Sequence, residues 1–203
     1  MFAQVIQGRT SDAQALRSAM DRWTRELGPG SIGWLGSTGG VTDDGRFIAV
    51  ARFESAEAAA RNSQRPEQTR WWEETQRLLD GEATFSDSED VTIDVRGDPD
   101  SAGFVQVMQG RVTDPARAKE LMAQMPSDAM AAYRPDVIGS VSIGRENGEW
   151  TQVLYFTSEA EAREGERKET PPEMQAAMDE MMTISAGPPD FFDLREPQLH
   201  SPG

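Results

Sequence analysis

A glutamine on an apolar strand face must find a polar partner, and this sequence places two at matching positions. Gln4 shares a face with Phe2 and Ile6 in Phe2 to Arg9, and Gln106 holds the same place in Phe104 to Arg111. Either glutamine can line a pocket between sheet and helices and bond a substrate oxygen, or it bonds neighbouring backbone or the facing copy. Arg52 lies in a second strand-like run, on the face of Ile48 and Val50, and its counterpart in the other half is Tyr155. A half-buried guanidinium there can stabilise a developing phenolate or superoxide; a salt bridge to an acid accounts for it equally. Trp34, on the strand between, offers an indole wall for a flat ring or packing mass for a core.

Other chemistries are poorly provided for. The 203 residues contain no cysteine, which removes disulfides, thiolate nucleophiles and thiolate metal sites. The single histidine, His200, falls in a Pro-rich tail of the kind that is usually disordered, so histidine chemistry is not expected. A net charge of −15, with acids interleaved among the bases, argues against nucleic acid. Eighteen of the twenty basic residues are arginine, a bias that says nothing about binding. Asp43-Asp44 and Asp87 to Asp90 lack the ligand spacing of a calcium loop and read as solvated turns, and Gly36 to Gly45 matches no nucleotide fingerprint. No metal and no cofactor is expected. No apolar run is long enough to span a bilayer, and Met1 to Gly8 reads as a strand rather than a leader, so the expected location is cytoplasmic.

The elements that carry these residues are written twice. Phe2-Ala3-Gln4-Val5-Ile6-Gln7-Gly8-Arg9 returns 102 positions later (2 to 104) as Phe104-Val105-Gln106-Val107-Met108-Gln109-Gly110-Arg111. Asp12 and Asp114, Ile32-Gly33 and Ile138-Gly139, and Ala51 to Ser55 and Leu154 to Ser158 follow in the same order. In the first copy Asp12 caps a helix with Leu16, Met20, Trp23 and Leu27 at helical spacing, ended by Gly28-Pro29. In the second, Asp114 and Pro115 start a helix whose stripe is Leu121, Met122 and Met125. Two strands follow, Ile32 to Ser37 and Phe47 to Phe53, or Ile138 to Ile143 and Trp150 to Phe156. Asp44-Gly45 and Asn147-Gly148, dipeptides suited to positive φ, turn each pair into a hairpin. Ser55 or Ser158 caps a second helical region, the latter with Glu161 in a capping-box pattern. Pro66 and Pro171-Pro172 restart the chain into an amphipathic helix carrying Trp71, Trp72, Thr75, Leu78 and Leu79, or Met174, Ala177, Met178, Met181 and Met182. A final strand closes each copy near Val91 to Val95 and Phe191 to Leu194.

The expected fold class is therefore α+β, two tandem ferredoxin-like βαββαβ units forming an intrachain pseudo-dimeric α/β barrel. The boundaries read 1–96 for the first unit, 97–103 for a turn-rich linker, 104–195 for the second and 196–203 for the tail.

The opening strand, the passage Val50-Ala51-Arg52-Phe53-Glu54-Ser55-Ala56-Glu57-Ala58 and the stretch Asn62 to Trp72 resemble the dimeric α/β-barrel superfamily, and within it antibiotic-biosynthesis monooxygenases. Tandem ACT domains are a lesser likeness, and an RNA-recognition domain is excluded by the lack of an RNP1 signature. The resemblance implies a cofactor-independent monooxygenase, in which an electron-rich phenol or polycyclic aromatic loses a proton and reacts directly with O2. It also implies that Asn62, Trp71 and Trp72 lie where relatives clamp a substrate, with Arg52, Asn62 and Trp72 as the orienting set. Packing explains at least one of these indoles as well. Haem degradation by the family's route needs a histidine ligand and is set aside. The other expectation is a non-enzymatic barrel that binds a small apolar ligand or a protein partner. Four of the five tryptophans fall in the first copy and eight of the ten methionines in the second, which suits a shaped pocket in the first copy; neutral drift of two cores explains the same split. Internal pairing suits a monomer, and free sheet edges allow a homodimer.

Overall fold

The structure is a computed structural model and describes residues 1–124 and 127–202. In chain order its elements are β1 (Phe2–Arg9), α1 (Ala13–Glu26), β2 (Trp34–Val41), β3 (Arg46–Phe53), α2 (Ala56–Ser63), α3 (Pro66–Thr75), β4 (Thr84–Ser88) and β5 (Asp90–Val95). The second half gives β6 (Phe104–Arg111), α4 (Pro115–Gln124), α5 (Ser127–Tyr133), β7 (Val137–Gly144), β8 (Glu149–Phe156), α6 (Glu159–Glu166), α7 (Pro172–Ile184), β9 (Asp190–Leu194) and β10 (Gln198–His200). The class is α+β, with two five-stranded sheets and a ferredoxin-like unit around each.

The compact units are Met1–Val91 with Leu194–Gly203, and Thr92–Asp193. The first sheet runs β10-β2-β3-β1-β4 and the second β5-β7-β8-β6-β9. Two expectations are corrected here. The strand that closes the first repeat against β1 is β4, with Gln4 opposite Asp87, whereas Val91 to Val95 belongs to β5 in the other sheet. The tail is ordered, because Gln198, Leu199 and His200 pair with Gly39, Thr38 and Ser37 and give the β2 edge its hydrogen bonds. Gln198 Nε2 also donates to Arg17 O at 3.0 Å and Asp21 Oδ1 at 2.7 Å on α1, and Arg17 pairs with Glu196. The single histidine is thus part of a folded strand.

Strand alternation sets the two faces of the first sheet. Phe47, Ala49, Ala51 and Phe53 of β3 face the helices, where Leu16, Trp23 and Leu27 of α1 and Trp71 of α3 pack on them. Asp12 caps α1 by accepting from Ala15 N at 2.9 Å, as its position predicts. On the opposite face Ala3, Val5, Ile48 and Val50 are also buried.

The hairpins differ from expectation in one respect. No residue other than glycine has positive φ among the described residues, so the turns are not the mirror-image two-residue type. Gly45 N donates to Thr42 O and Thr42 N to Arg46 O, a type I turn with Gly45 (φ 79) completing a bulge. Gly148 (φ 83) does the same after Arg145.

In the second unit, Leu121 is buried but Met122 is 49% exposed, so Met122 leaves the expected stripe; Met125 lies outside the described residues. On α7, Met174 is buried while Met182 is 74% exposed, so that stripe is shorter than its sequence suggests. Ser158 caps α6 through Glu161 N at 3.3 Å, and the Glu161 carboxylate accepts from the Thr157 and Ser158 hydroxyls rather than turning back to the cap backbone. No described helix is long and apolar enough to cross a membrane.

Candidate functional site

The aromatic residues of the first unit form a continuous series across α1, β2, α3 and β4. Trp23 meets Trp34 edge-on at 5.0 Å and Trp71 at 6.4 Å; Trp71 lies 6.0 Å from Trp72, and Trp72 meets Phe85 edge-on at 5.2 Å. The inner end of the series is core. Trp23 donates to Gln68 Oε1 at 2.5 Å and the buried Trp71 donates to Ala19 O at 2.9 Å. Trp34 is buried too, but its Nε1 has no hydrogen-bond partner among the described residues, nor does the buried hydroxyl of Ser31.

The outer end opens. Trp72 is half-buried, Phe85 is 47% exposed, and with Gln76, Gly81, Glu82 and Ala83 they line a cleft of about 330 Å³. Local sequence explains the opening. After α3 a short 3₁₀ turn, Gln76–Leu78, leads to Gly81 at φ 105, which aims the chain back so that β4 pairs with β1 beside α3. Phe85, opposite Ile6, then projects to the helix side and finds Trp72.

The structure does not gather the expected orienting set. Arg52 pairs with Ala3 and Gly36 in register, on the face turned away from the helices. Among the described residues it forms no ion pair, and its guanidinium lies over Gly36, where a built Cβ would come within 2.8 Å of Nη2. A bulge between Trp34 and Gly36, with φ 121 at Gly36, makes that close approach possible. Asn62 is buried on α2 and accepts from Arg65 Nη1 at 3.0 Å; the same nitrogen donates to Leu27 O at 3.0 Å, beyond the end of α1. Asn62 thus braces Arg65 against the α1 terminus. Of the three, Trp72 alone lines the cleft.

The glutamines take protein partners. Gln4 Nε2 donates to Asp87 Oδ1 at 2.9 Å, so Asp87 lies in a strand rather than in a solvated turn. Gln106, 4% exposed, donates to Asp193 Oδ1 at 3.0 Å and Glu166 Oε1 at 3.2 Å in the second unit. Arg163 fills the remaining space there. It pairs with Asp193, with Glu166 at 3.0 Å and with Glu159 at 3.2 Å, and sits 5.2 Å above the Phe104 ring. Burial disfavours its charge, but the bonds from Asp193 and Glu166 outweigh that and raise its pKa. Tyr155 is buried on β8 of the second unit, paired with Val105 and Gly139, and is not among the residues that line the Trp72–Phe85 cleft.

Phe85 and Glu82 carry no motif, and Asp87 reads as part of a solvated turn, because β4 precedes the strand expected to close the first copy. A signal existed: Thr84-Phe85-Ser86-Asp87 parallels Asp190-Phe191-Phe192-Asp193, 106 positions on (84 to 190).

No family model matches the sequence, and no curated protein matches it. Solved structures do resemble it over its full length. A protein of Lactobacillus acidophilus NCFM named "putative monooxygenase" superposes with a TM-score of 0.74 at 15% identity, covering 98% of this chain and 96% of its own. One of the same name from Fusobacterium nucleatum subsp. nucleatum gives 0.76 at 12% identity, covering 100% and 94%. An anthrone oxidase-like protein gives 0.68 at 13% identity, covering 98% and 92%. The expected likeness to proteins of the antibiotic-biosynthesis monooxygenase type therefore holds at the level of fold, across both repeats.

Proposed function

We propose that this protein takes a flat, electron-rich aromatic molecule into the Trp72–Phe85 cleft and supports its oxygenation by O2 without a bound cofactor. The observation that carries this is the cleft itself: about 330 Å³, walled by an indole and a benzene ring that meet edge-on, at the lower end of the size range of small-molecule sites. The proteins that share the fold along its whole length are named for monooxygenase and anthrone oxidase activity, which supports oxygen chemistry on a fused phenolic ring. For a ring methylene the reaction balances as CH2 plus O2 giving C=O plus water.

The lining constrains the substrate. Glu82 is the titratable residue of the cleft wall. A ring bound there can pass a proton only to that carboxylate or to solvent, so substrates of different acidity separate the two routes. The test is O2 consumption with a panel of anthrones, naphthols and quinols. Uptake that falls at least tenfold in Trp72→Ala supports the proposal, and no uptake across the panel refutes the oxygenation. The scattering of Arg52, Asn62 and Trp72 favours a second reading, a non-catalytic aromatic-binding protein. Binding without uptake selects it.

A further inference from the structure

The two repeats provide an internal comparison. Ser55 and Ser158 cap equivalent helices, so Ala60 of α2 stands where Arg163 stands in α6, and Ser63 where Glu166 stands (55 to 158, 60 to 163, 63 to 166). Gln4 corresponds to Gln106, Phe2 to Phe104, and Asp87 to Asp193. The side-chain bonds agree with this: each glutamine donates to the aspartate of the strand that closes its sheet against the opening strand. In the second unit this carboxylate–amide–aromatic corner is occupied by a cation, the Arg163 guanidinium, held by Asp193 and lying over Phe104. The first unit keeps the Gln4–Asp87 pair, but Ala56, Ala60 and Ser63 stand where Glu159, Arg163 and Glu166 stand, so its corner holds one carboxylate and no cation. Ala60 is exposed and too short to reach, and Asp87 forms no ion pair among the described residues; the Gln4 amide is its bonded neighbour.

Asp87 lies two residues after Phe85 on the same face of β4, a separation of about 7 Å along a strand. The vacant corner is therefore next to the cleft and within the length of one small molecule. We infer that Asp87, with Gln4 beside it, receives a positively charged donor, an ammonium or guanidinium, carried by the aromatic molecule whose ring enters the Trp72–Phe85 cleft. The inference rests on the cleft being an aromatic site and names the class of molecule it takes: an aromatic amine or guanidine with its cation one short linker from the ring. The second unit, which supplies its own guanidinium, has no such vacancy at Asp193.

The probes are 2-(2-naphthyl)ethylamine and its neutral counterpart 2-(2-naphthyl)ethanol, titrated against the full-length protein by tryptophan fluorescence and by NMR. An exposed ion pair with an aromatic neighbour favours the amine by about three- to tenfold, and the preference shrinks as salt is raised. Asp87→Asn removes the preference and leaves the alcohol's affinity unchanged. Ala60→Arg, on an exposed helix position that tolerates a long side chain, does the same by refilling the corner from within. Equal binding of the two probes, or a preference that survives both substitutions, overturns this inference and leaves the cleft intact as an aromatic site. Binding of neither probe overturns the aromatic site and the inference together.

Discussion

Trp71 and Trp72 are consecutive in α3, yet the structure gives them opposite roles, and truncating each in turn separates core from site. Trp71 is 7% exposed, packs on Trp23 and Trp72, and donates its indole N–H to Ala19 O. Trp71→Ala removes nearly all of that burial and leaves a cavity between α1 and α3, at a cost of about 3–5 kcal/mol. With a urea dependence of about 2 kcal/mol per molar, the midpoint falls by about 2 M. Trp72 is half-buried and its best-defined contact is the edge-on meeting with Phe85, worth about 0.5–1.5 kcal/mol. Trp72→Ala loses that contact and the burial of only part of the ring, so it should lower the same midpoint by about 1 M, less than Trp71→Ala does.

The binding results should run the other way. Trp72→Ala should weaken a bound naphthyl probe by about three- to tenfold, the value of one aromatic contact, while Trp71→Ala at low urea leaves the cleft wall in place. Two compact units allow two unfolding transitions, so the midpoint is best read from tryptophan fluorescence, because Trp23, Trp34, Trp71 and Trp72 all lie in the first unit. Equal midpoint shifts for the two variants, or undiminished probe binding by Trp72→Ala, would refute the division of roles.

Three further outcomes follow from particular contacts. Deleting Gln198 to Gly203 strips the β2 edge of its partner, so the amides of Ser37 to Gly39 should exchange with solvent faster than those of β3, as hydrogen exchange will show. Gly148→Ala puts a Cβ 2.2 Å from Val112 O at φ 83, so it should cost at least about 1–3 kcal/mol; an unchanged urea midpoint in the second unit would contradict that geometry. Arg117, bonded to Glu180 at 2.6 and 2.8 Å, holds the Glu180 carboxyl below its ordinary value. A depressed carboxyl stabilises the fold above its unfolded pKa, so the α4–α7 bracket should weaken as pH falls below about 4.3; Glu180→Gln should flatten that part of the pH–stability profile.

The fold was readable because repetition supplied two independent witnesses for each element. Asp12 and Asp114, Ser55 and Ser158, and Gly45 and Gly148 mark the same boundaries twice, and each is a local signal that a short stretch of chain obeys by itself. Errors arose where the deciding partner is remote in sequence. Asp90–Val95 has strand character whichever sheet it joins, and nothing within it says that its neighbour is β7. Gln198–His200, beside proline and glycine, reads as a frayed end until β2 and Asp21 are in place to hold it. Side-chain period shows a strand's faces, not which edge it joins.

The site was less legible for a related reason. Residue type announces chemistry only when the protein has not already satisfied the group, and satisfaction is decided by contacts across the fold. Asn62 reads as part of a substrate clamp with Trp71 and Trp72, but its carboxamide oxygen is taken by Arg65, which also donates to the Leu27 carbonyl. Gln4 and Gln106 hold the same place in the repeated strand and bond equivalent aspartates, yet one corner holds a guanidinium and the other does not. That difference lies in three helix positions, Ala56, Ala60 and Ser63 against Glu159, Arg163 and Glu166, with no periodicity or motif to flag it. It becomes meaningful only once β4 and β9 are known to close their sheets against the opening strand. A duplicated fold therefore discloses a candidate site where its copies keep one bonded pair, here Gln4 with Asp87 and Gln106 with Asp193, and differ in the groups packed around it.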